Sequence, residues 1–255
     1  MTNLIFLLIA VLSFNPGNVL ADQKGIEIAT IVRDANNNFI GEKSKVEMIL
    51  IDSHGEKTIR EMESKVLEIP GDGDRSLSIF LTPFDVKGTK MLTWSHKSTD
   101  DDQWLYLPSF RRVKRINSRN KSSSFMGSEF SYEDLGSQEI EKYNYKFISD
   151  NSETNVWAIE RTPKVSSGYS KQKLFISKKY NNSIKIEYFD RKGELLKIAT
   201  FDKFKQYTVN KKTMWRSSII HMKNIQTNKQ SIITWKDRKI GIKHKESIFN
   251  KRALK

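Results

Sequence analysis

The side chains best suited to binding chemistry are concentrated in one stretch, DQWLYLPSFRRVKRI, at residues 102–116. Its aromatic rings and basic groups could stack on nucleic-acid bases and contact phosphates, or could rest on an anionic membrane surface. The same residues could also form one wall of a site for an apolar ligand, with long basic side chains at its rim. The stretch therefore leaves three kinds of partner open, and the rest of the chain has to decide among them.

Catalytic and metal-binding patterns are missing from the sequence. The four histidines are scattered without ligand spacing, and no nucleophile elbow, phosphate-binding loop or dinucleotide-binding glycine motif occurs. The GDGD sequence at 71–74 lacks the spacing of a calcium loop and is typical of a turn between strands. We therefore expect a binding protein with no catalytic residues, no metal site and no cofactor.

Residues 103–107 show how the binding stretch must be positioned. In an extended strand, Trp104 and Tyr106 share one face, whereas Leu105 and Leu107 share the other. Both faces are apolar, so we expect the core or a ligand to cover one and a helix or lid to cover the other. Pro108 should end the strand, since it cannot donate a ladder hydrogen bond.

The first residues predict export. Residues 1–21 carry no charge, Leu4 to Leu12 is apolar, and Val19 to Ala21 offers small residues before Asp22. We interpret residues 1–21 as a signal peptide cleaved after Ala21, followed by one domain at 22–255 in the periplasm. The chain has no cysteine, which excludes disulfides and a lipid-anchored N-terminal cysteine. Its net charge of +14 favours anionic partners, although biased composition explains the charge equally well.

Alternation of apolar residues predicts a mainly β fold. One amphipathic helix fits residues 25–36, and about ten or eleven sequential strands follow, separated by turn-forming residues. Such a meander is expected to curl into a single unclosed antiparallel β-barrel with few helices. Residues 117–152 are polar and turn-rich yet carry large apolar side chains, so we interpret them as a lid over one mouth of the barrel. An ordinary surface loop tucked into the core is the alternative.

Three blocks of this sequence resemble a known family. GTKMLTW (88–94), QWLYLPSFRRVKRI (103–116) and SFMGSEFSYEDL (124–135) together resemble the outer-membrane lipoprotein-sorting proteins, the LolA-like group. The resemblance implies an unclosed barrel wrapped around an apolar cavity and partly covered by helices. We assign the cavity wall, rim or lid to residues in or near these blocks: Trp94, Trp104, Tyr106, Arg111, Arg112, Phe125, Met126, Phe130 and Tyr132.

The resemblance also implies a function. It predicts a monomeric, non-enzymatic periplasmic carrier for the acyl chains of a lipoprotein or lipid, with transient contact to a membrane surface. Family members often accompany inner-membrane pumps of the resistance-nodulation-division (RND) type, which suggests such a transporter as a hand-off partner. The alternatives are an accessory subunit of that transporter without cargo of its own, and an adhesin for anionic polymers. Nucleic acid is disfavoured, because exported proteins seldom bind it.

Overall fold

The computed structural model describes residues 16–255. The apolar part of the predicted signal peptide therefore lies outside the described residues. Helix α1 (Pro16–Asn36) includes the helix predicted for residues 25–36 and begins before the predicted cleavage point at Ala21. In the part of the chain that is described, no helix has the length and apolar character needed to span a membrane.

Strands make up most of the remaining chain. In order, they are β1 (Gly41–Ile51), β2 (Lys57–Leu67), β3 (Arg75–Thr82), β4 (Lys90–Trp94), β5 (Asp102–Leu107), β6 (Arg112–Ile116), β7 (Tyr143–Asn151), β8 (Val156–Pro163), β9 (Tyr169–Ser177), β10 (Asn182–Asp190), β11 (Leu195–Asp202), β12 (Lys205–Val209), β13 (Lys212–Arg216), β14 (Ile219–Asn224) and β15 (Gln230–Ile240). The prediction of a mainly β protein is confirmed.

Thirteen of these strands form one antiparallel sheet in the order β6-β5-β4-β3-β2-β1-β15-β14-β11-β10-β9-β8-β7. The remaining strands, β12 and β13, pair with each other in a separate two-stranded sheet. The sheet has two free edges, at β6 and β7, so it is not closed, as predicted. Strands that pair in this sheet are mostly consecutive in sequence. The two exceptions are β1 with β15, which joins the two halves, and β11 with β14, which flank the β12–β13 hairpin.

The predicted number of strands, about ten or eleven, is wrong, since residues 16–255 contain fifteen. β6 was interpreted as a rim, and β7 was included in the predicted lid. β12 was not recognised, and β13 and β14 were interpreted as one strand. Four of these five strands, all except β7, are only five or six residues long, which is too short for alternation to be distinctive.

The two faces of the sheet carry separate hydrophobic clusters. The inner face holds the larger cluster, which includes Met48, Phe80, Leu105 and Ile159 together with residues of α1. On the outer face, Leu77, Leu92 and Trp104 pack against Phe249 and Leu254 of two C-terminal 3-10 turns. Strand β5 contributes to both clusters, because its side chains alternate between the two faces.

Helix α1 lies against edge strand β7. A Cβ added to Gly25 would come within 3.1 Å of backbone atoms of Lys146 and Phe147, so glycine permits this close approach. The buried side chains Ile28 and Ala29 face the inner cluster. The helix thereby covers apolar surface beside an edge that would otherwise be open.

The segment between β6 and β7, which we call the cover segment (residues 117–142), crosses the inner face. It contains short 3-10 turns, one of them at Tyr132–Leu135. The cover segment ends earlier than the predicted lid, because residues 143–151 form β7. Tyr143, Tyr145 and Phe147 alternate along that strand and face the inner cluster.

Candidate functional site

A cavity of about 940 Å3 lies between the inner face of the sheet, α1 and the cover segment. Strands β7 to β11, β14 and β15 contribute to its lining, and so do residues 130–140 of the cover segment and 68–74 of the β2–β3 connection. The cavity therefore occupies the half of the sheet that is distant from β5 and β6.

The floor of the cavity is apolar. One row of side chains crosses five neighbouring strands, since each member is directly paired with the next: Ile159, Leu174, Ile186, Ala199 and Met222. All five line the cavity, and none is more than 8% exposed. Ile176, Phe201 and Ile220 extend this floor toward the next positions along the strands.

A second row of side chains, two residues along each strand from the first, is polar. Its members also pair from strand to strand: Tyr145, Arg161, Gln172, Tyr188, Lys197 and Asn224. Because side chains two residues apart share a face, this polar row faces the interior like the apolar row. Every member is 9% exposed or less. A buried row of polar groups needs partners, because an unpaired buried polar group is strongly destabilising.

The cover segment supplies many of these partners. Lys197 Nζ donates to Asp134 Oδ2 at 2.7 Å and to the carbonyl oxygen of Glu129 at 2.8 Å. Asn224 Nδ2 donates to Glu129 Oε2 at 2.8 Å, and Arg161 Nη2 donates to Gln138 Oε1 at 2.9 Å. The polar row therefore fastens the cover segment to the sheet.

The Asp134 carboxylate accepts hydrogen bonds from several neighbouring groups in addition to Lys197. These come from the Ser131 backbone nitrogen at 2.7 Å and from the Tyr169 hydroxyl at 2.9 Å and 3.1 Å. The Asp134 and Lys197 side chains are only 6% and 5% exposed. This ion pair is thus buried between the cover segment and the sheet.

Another carboxyl at the cavity has an altered acidity. Burial, together with the nearby negative charges of Glu139 and Glu68, raises the pKa of Asp74 to about 7. All three residues line the cavity, with Glu139 belonging to the cover segment. Near neutral pH, this part of the cavity therefore gains or loses negative charge.

The residues assigned to the site from the sequence fall into three places. Phe130 lines the cavity. Phe125 and Tyr132 are buried in the inner cluster, where their rings lie 5.7 Å apart, and the half-buried Met126 packs beside them with a positive φ of 51°. The cover segment thus brings these residues together on the inner face.

The other assigned residues lie elsewhere. Trp94, Trp104 and Tyr106 belong to the outer cluster, and Trp94 Nε1 donates to the Phe249 carbonyl at 2.7 Å. Arg111 and Arg112 are exposed at the β5–β6 turn and on the edge strand. Neither group is part of the cavity lining, and a ligand-binding role for the assigned residues stays a prediction.

Sequence reasoning missed the polar row. A signal was present, because Arg161, Tyr188 and Lys197 each stand two residues from an apolar core residue and so share its face.

Known proteins resemble this chain over most of its length. A family model described as "Uncharacterized protein" matches residues 72–255. A structure from Vibrio parahaemolyticus, named as an outer membrane lipoprotein-sorting protein domain, is 42% identical, with a TM-score of 0.87, and the match covers 91% of this chain and 99% of that one. No curated protein matches the chain.

Two more distant structures share the fold. A DUF1329 family protein from Desulfovibrio piger is 24% identical with a TM-score of 0.85, over 92% of this chain and 99% of its own. A LolA superfamily protein from Nitrosomonas europaea is 16% identical with a TM-score of 0.69, over 90% and 98%. At these identities the similarity shows the fold alone.

Proposed function

Because the chain belongs to the family of outer-membrane lipoprotein-sorting proteins, with the LolA-like fold, we propose that it is a carrier that shelters acyl chains in its cavity. The cargo is a lipoprotein or a lipid, which the protein transfers through the cell envelope toward the outer membrane. In this proposal the chain is an exported, monomeric, non-enzymatic protein of the periplasm. Its signal peptide at 1–21 is removed, and an inner-membrane transporter of the RND type hands over the cargo.

The apolar floor is the observation that carries the proposal. The cavity above this floor has a volume of about 940 Å3, within the range of roughly 300–1,000 Å3 that is common for small-molecule sites. Each methylene that moves from water into such a cavity contributes about 0.8 kcal/mol. The transfer free energy of an acyl chain with many methylenes is therefore large enough to account for its binding to this surface.

The length of the cavity supports the same cargo. Asn182 and Tyr188 both line it and lie six residues apart on β10, which corresponds to about 20 Å of extended strand. One leaflet of a bilayer has a hydrocarbon depth of about 15 Å, half of the usual ~30 Å core. A single acyl chain of ordinary length can thus lie along the floor.

A cavity-filling variant with a matched control tests the proposal. Ala199 is fully buried in the floor, so Ala199→Phe places a ring where an acyl chain would lie. Thr200→Phe introduces the same ring one residue later, on the opposite face. We expect Ala199→Phe to weaken binding of a fluorescent fatty acid at least tenfold and Thr200→Phe to leave it unchanged, with thermal melting as the check on folding.

Over-packing could unfold the first variant, since an inserted group in a core costs about 1–3 kcal/mol. Ile186→Phe, a smaller change in the same row, then takes its place. Native mass spectrometry of protein from its own host should also find a bound lipid. If wild-type protein binds no apolar ligand and carries none, the carrier proposal fails and an accessory subunit without cargo becomes the better explanation.

A further inference from the structure

The polar row contains two buried cations, and only one of them has a carboxylate partner. Lys197 is paired with Asp134 at 2.7 Å. Arg161, which is 5% exposed, forms no ion pair within 4.0 Å with any residue of the described range 16–255. Arginine keeps its charge at any ordinary pH, so Arg161 places beside the cavity a positive charge that no carboxylate contacts.

The contacts of Arg161 are all with neutral groups. Nε donates to Gln172 Oε1 at 2.5 Å, Nη2 donates to Gln138 Oε1 at 2.9 Å, and the guanidinium lies 4.3 Å from the centre of the Tyr143 ring. A side-chain hydrogen bond also joins the Arg161 guanidinium to the phenol of Tyr145 on the neighbouring strand. Burying a charge without an opposite charge is costly, even where neutral groups solvate it.

Arg161 is also placed where a ligand could reach it. It lines the cavity, and so do the two tyrosines of the neighbouring strands, Tyr145 and Tyr188. Burial raises the pKa of both phenols, so their hydroxyl groups stay protonated and can donate hydrogen bonds. One guanidinium and two phenols beside an apolar floor form a recognition site for the anionic end of an amphiphile.

We propose that the cavity binds an amphiphile with an acidic head group, a carboxylate or a phosphate, whose oxygens contact Arg161 while its chain covers the apolar row. This inference rests on the proposed function and narrows the cargo. It favours a fatty acid or a phosphate-bearing lipid over an acyl group without a charge of its own.

Ligands of equal chain length test the inference. Hexadecanoate, hexadecyl phosphate and hexadecanol differ at the head group alone, and their affinities can be compared by displacement of one fluorescent probe. A charge-assisted hydrogen bond predicts that the wild-type protein binds at least one of the two acids about 10–100-fold more tightly than the alcohol. The tighter of the two acids identifies a carboxylate or a phosphate site.

Arg161→Gln should bring the affinities for the two acids down to that for hexadecanol, whereas Arg161→Lys should retain part of the preference. A merely structural Arg161 predicts a different pattern, in which the glutamine variant melts at a lower temperature and loses all three ligands equally. Equal binding of acid and alcohol by wild-type protein would overturn the inference while leaving the carrier proposal intact. If none of the three ligands binds, both proposals fail.

Discussion

Neutralising Asp134 is expected to destabilise the attachment of the cover segment to the sheet. Asp134→Asn has nearly the same shape, so Ser131 and Tyr169 can still donate to the side-chain oxygen. Lys197, however, would keep its buried charge without an anion. Removing one partner of a buried pair in this way costs about 3–5 kcal/mol.

A double-mutant cycle isolates the pair from its surroundings. We expect Asp134→Asn and Lys197→Met each to lower the free energy of unfolding in urea by about 3–5 kcal/mol, since each leaves one buried charge unpaired. The double variant leaves no unpaired charge, so its stability should return close to that of the wild type. The two single effects are therefore expected to be far from additive.

An exposed pair provides the matched control. Lys236 Nζ lies 2.8 Å from Glu47 Oε2, but the lysine side chain is 51% exposed. The same cycle there should give a coupling of about 1 kcal/mol or less, because solvent screens the charges. If the coupling free energy between Asp134 and Lys197 is no larger than that of the control pair, the buried ion pair does not fasten the cover segment and the reasoning is refuted.

Three further outcomes follow from the structure. Phe249→Ala should lower stability by about 3–5 kcal/mol in urea melts without changing ligand affinity, because Phe249 packs with Trp94 on the outer face. Burial holds the pKa of Asp74 at about 7 in the folded protein against 3.8 otherwise, so the folded state binds the extra proton. Asp74 therefore makes its full contribution to the free energy of unfolding below pH 3.8, and this contribution is lost as the pH rises through about 7. Urea melts of Asp74→Asn should not show this fall. Replacing both Arg111 and Arg112 with alanine should change stability by no more than about 0.5 kcal/mol per site, since both are exposed, and a larger loss of melting temperature would contradict this.

The sequence predicts the class of fold well because alternation is a local property. Strands β1 to β5 and β8 to β11 follow clear alternation of apolar residues, and they lie where the pattern places them. β6 and β12 are short and rich in charged or polar residues, so their membership in a sheet depends on neighbours that are distant in sequence. No local pattern predicts such pairings.

The site is harder to predict than the fold for the same reason. Alternation correctly separates Trp104 and Tyr106 from Leu105 and Leu107. It cannot tell which face is inner, because both are apolar, and the aromatic face proved to be the one under the C-terminal turns. The polar row is assembled from six strands between residues 143 and 224, so only the register of the sheet brings its members together.

Cargo exchange by the proposed carrier depends on which part of the cover segment can open. Phe125, Phe130 and Tyr132 are 2%, 5% and 9% exposed, and exposing each large side chain costs about 1.5–3 kcal/mol. Residues 136–142 are half-buried or exposed, and they are held largely by polar contacts such as that of Gln138 with Arg161. Water can replace polar contacts at little net cost, whereas it cannot replace apolar packing.

The opening should therefore begin at residues 136–142, while residues 125–132 stay in place. Hydrogen exchange measured by mass spectrometry is expected to show faster exchange in a peptide covering 136–142 than in one covering 125–132. Bound hexadecanoate should slow exchange in the first peptide, because the ligand lies beneath it and contacts Arg161. Equal protection of both peptides would mean that the cover segment moves as one unit, and opening would then have to overcome the loss of its apolar packing as well.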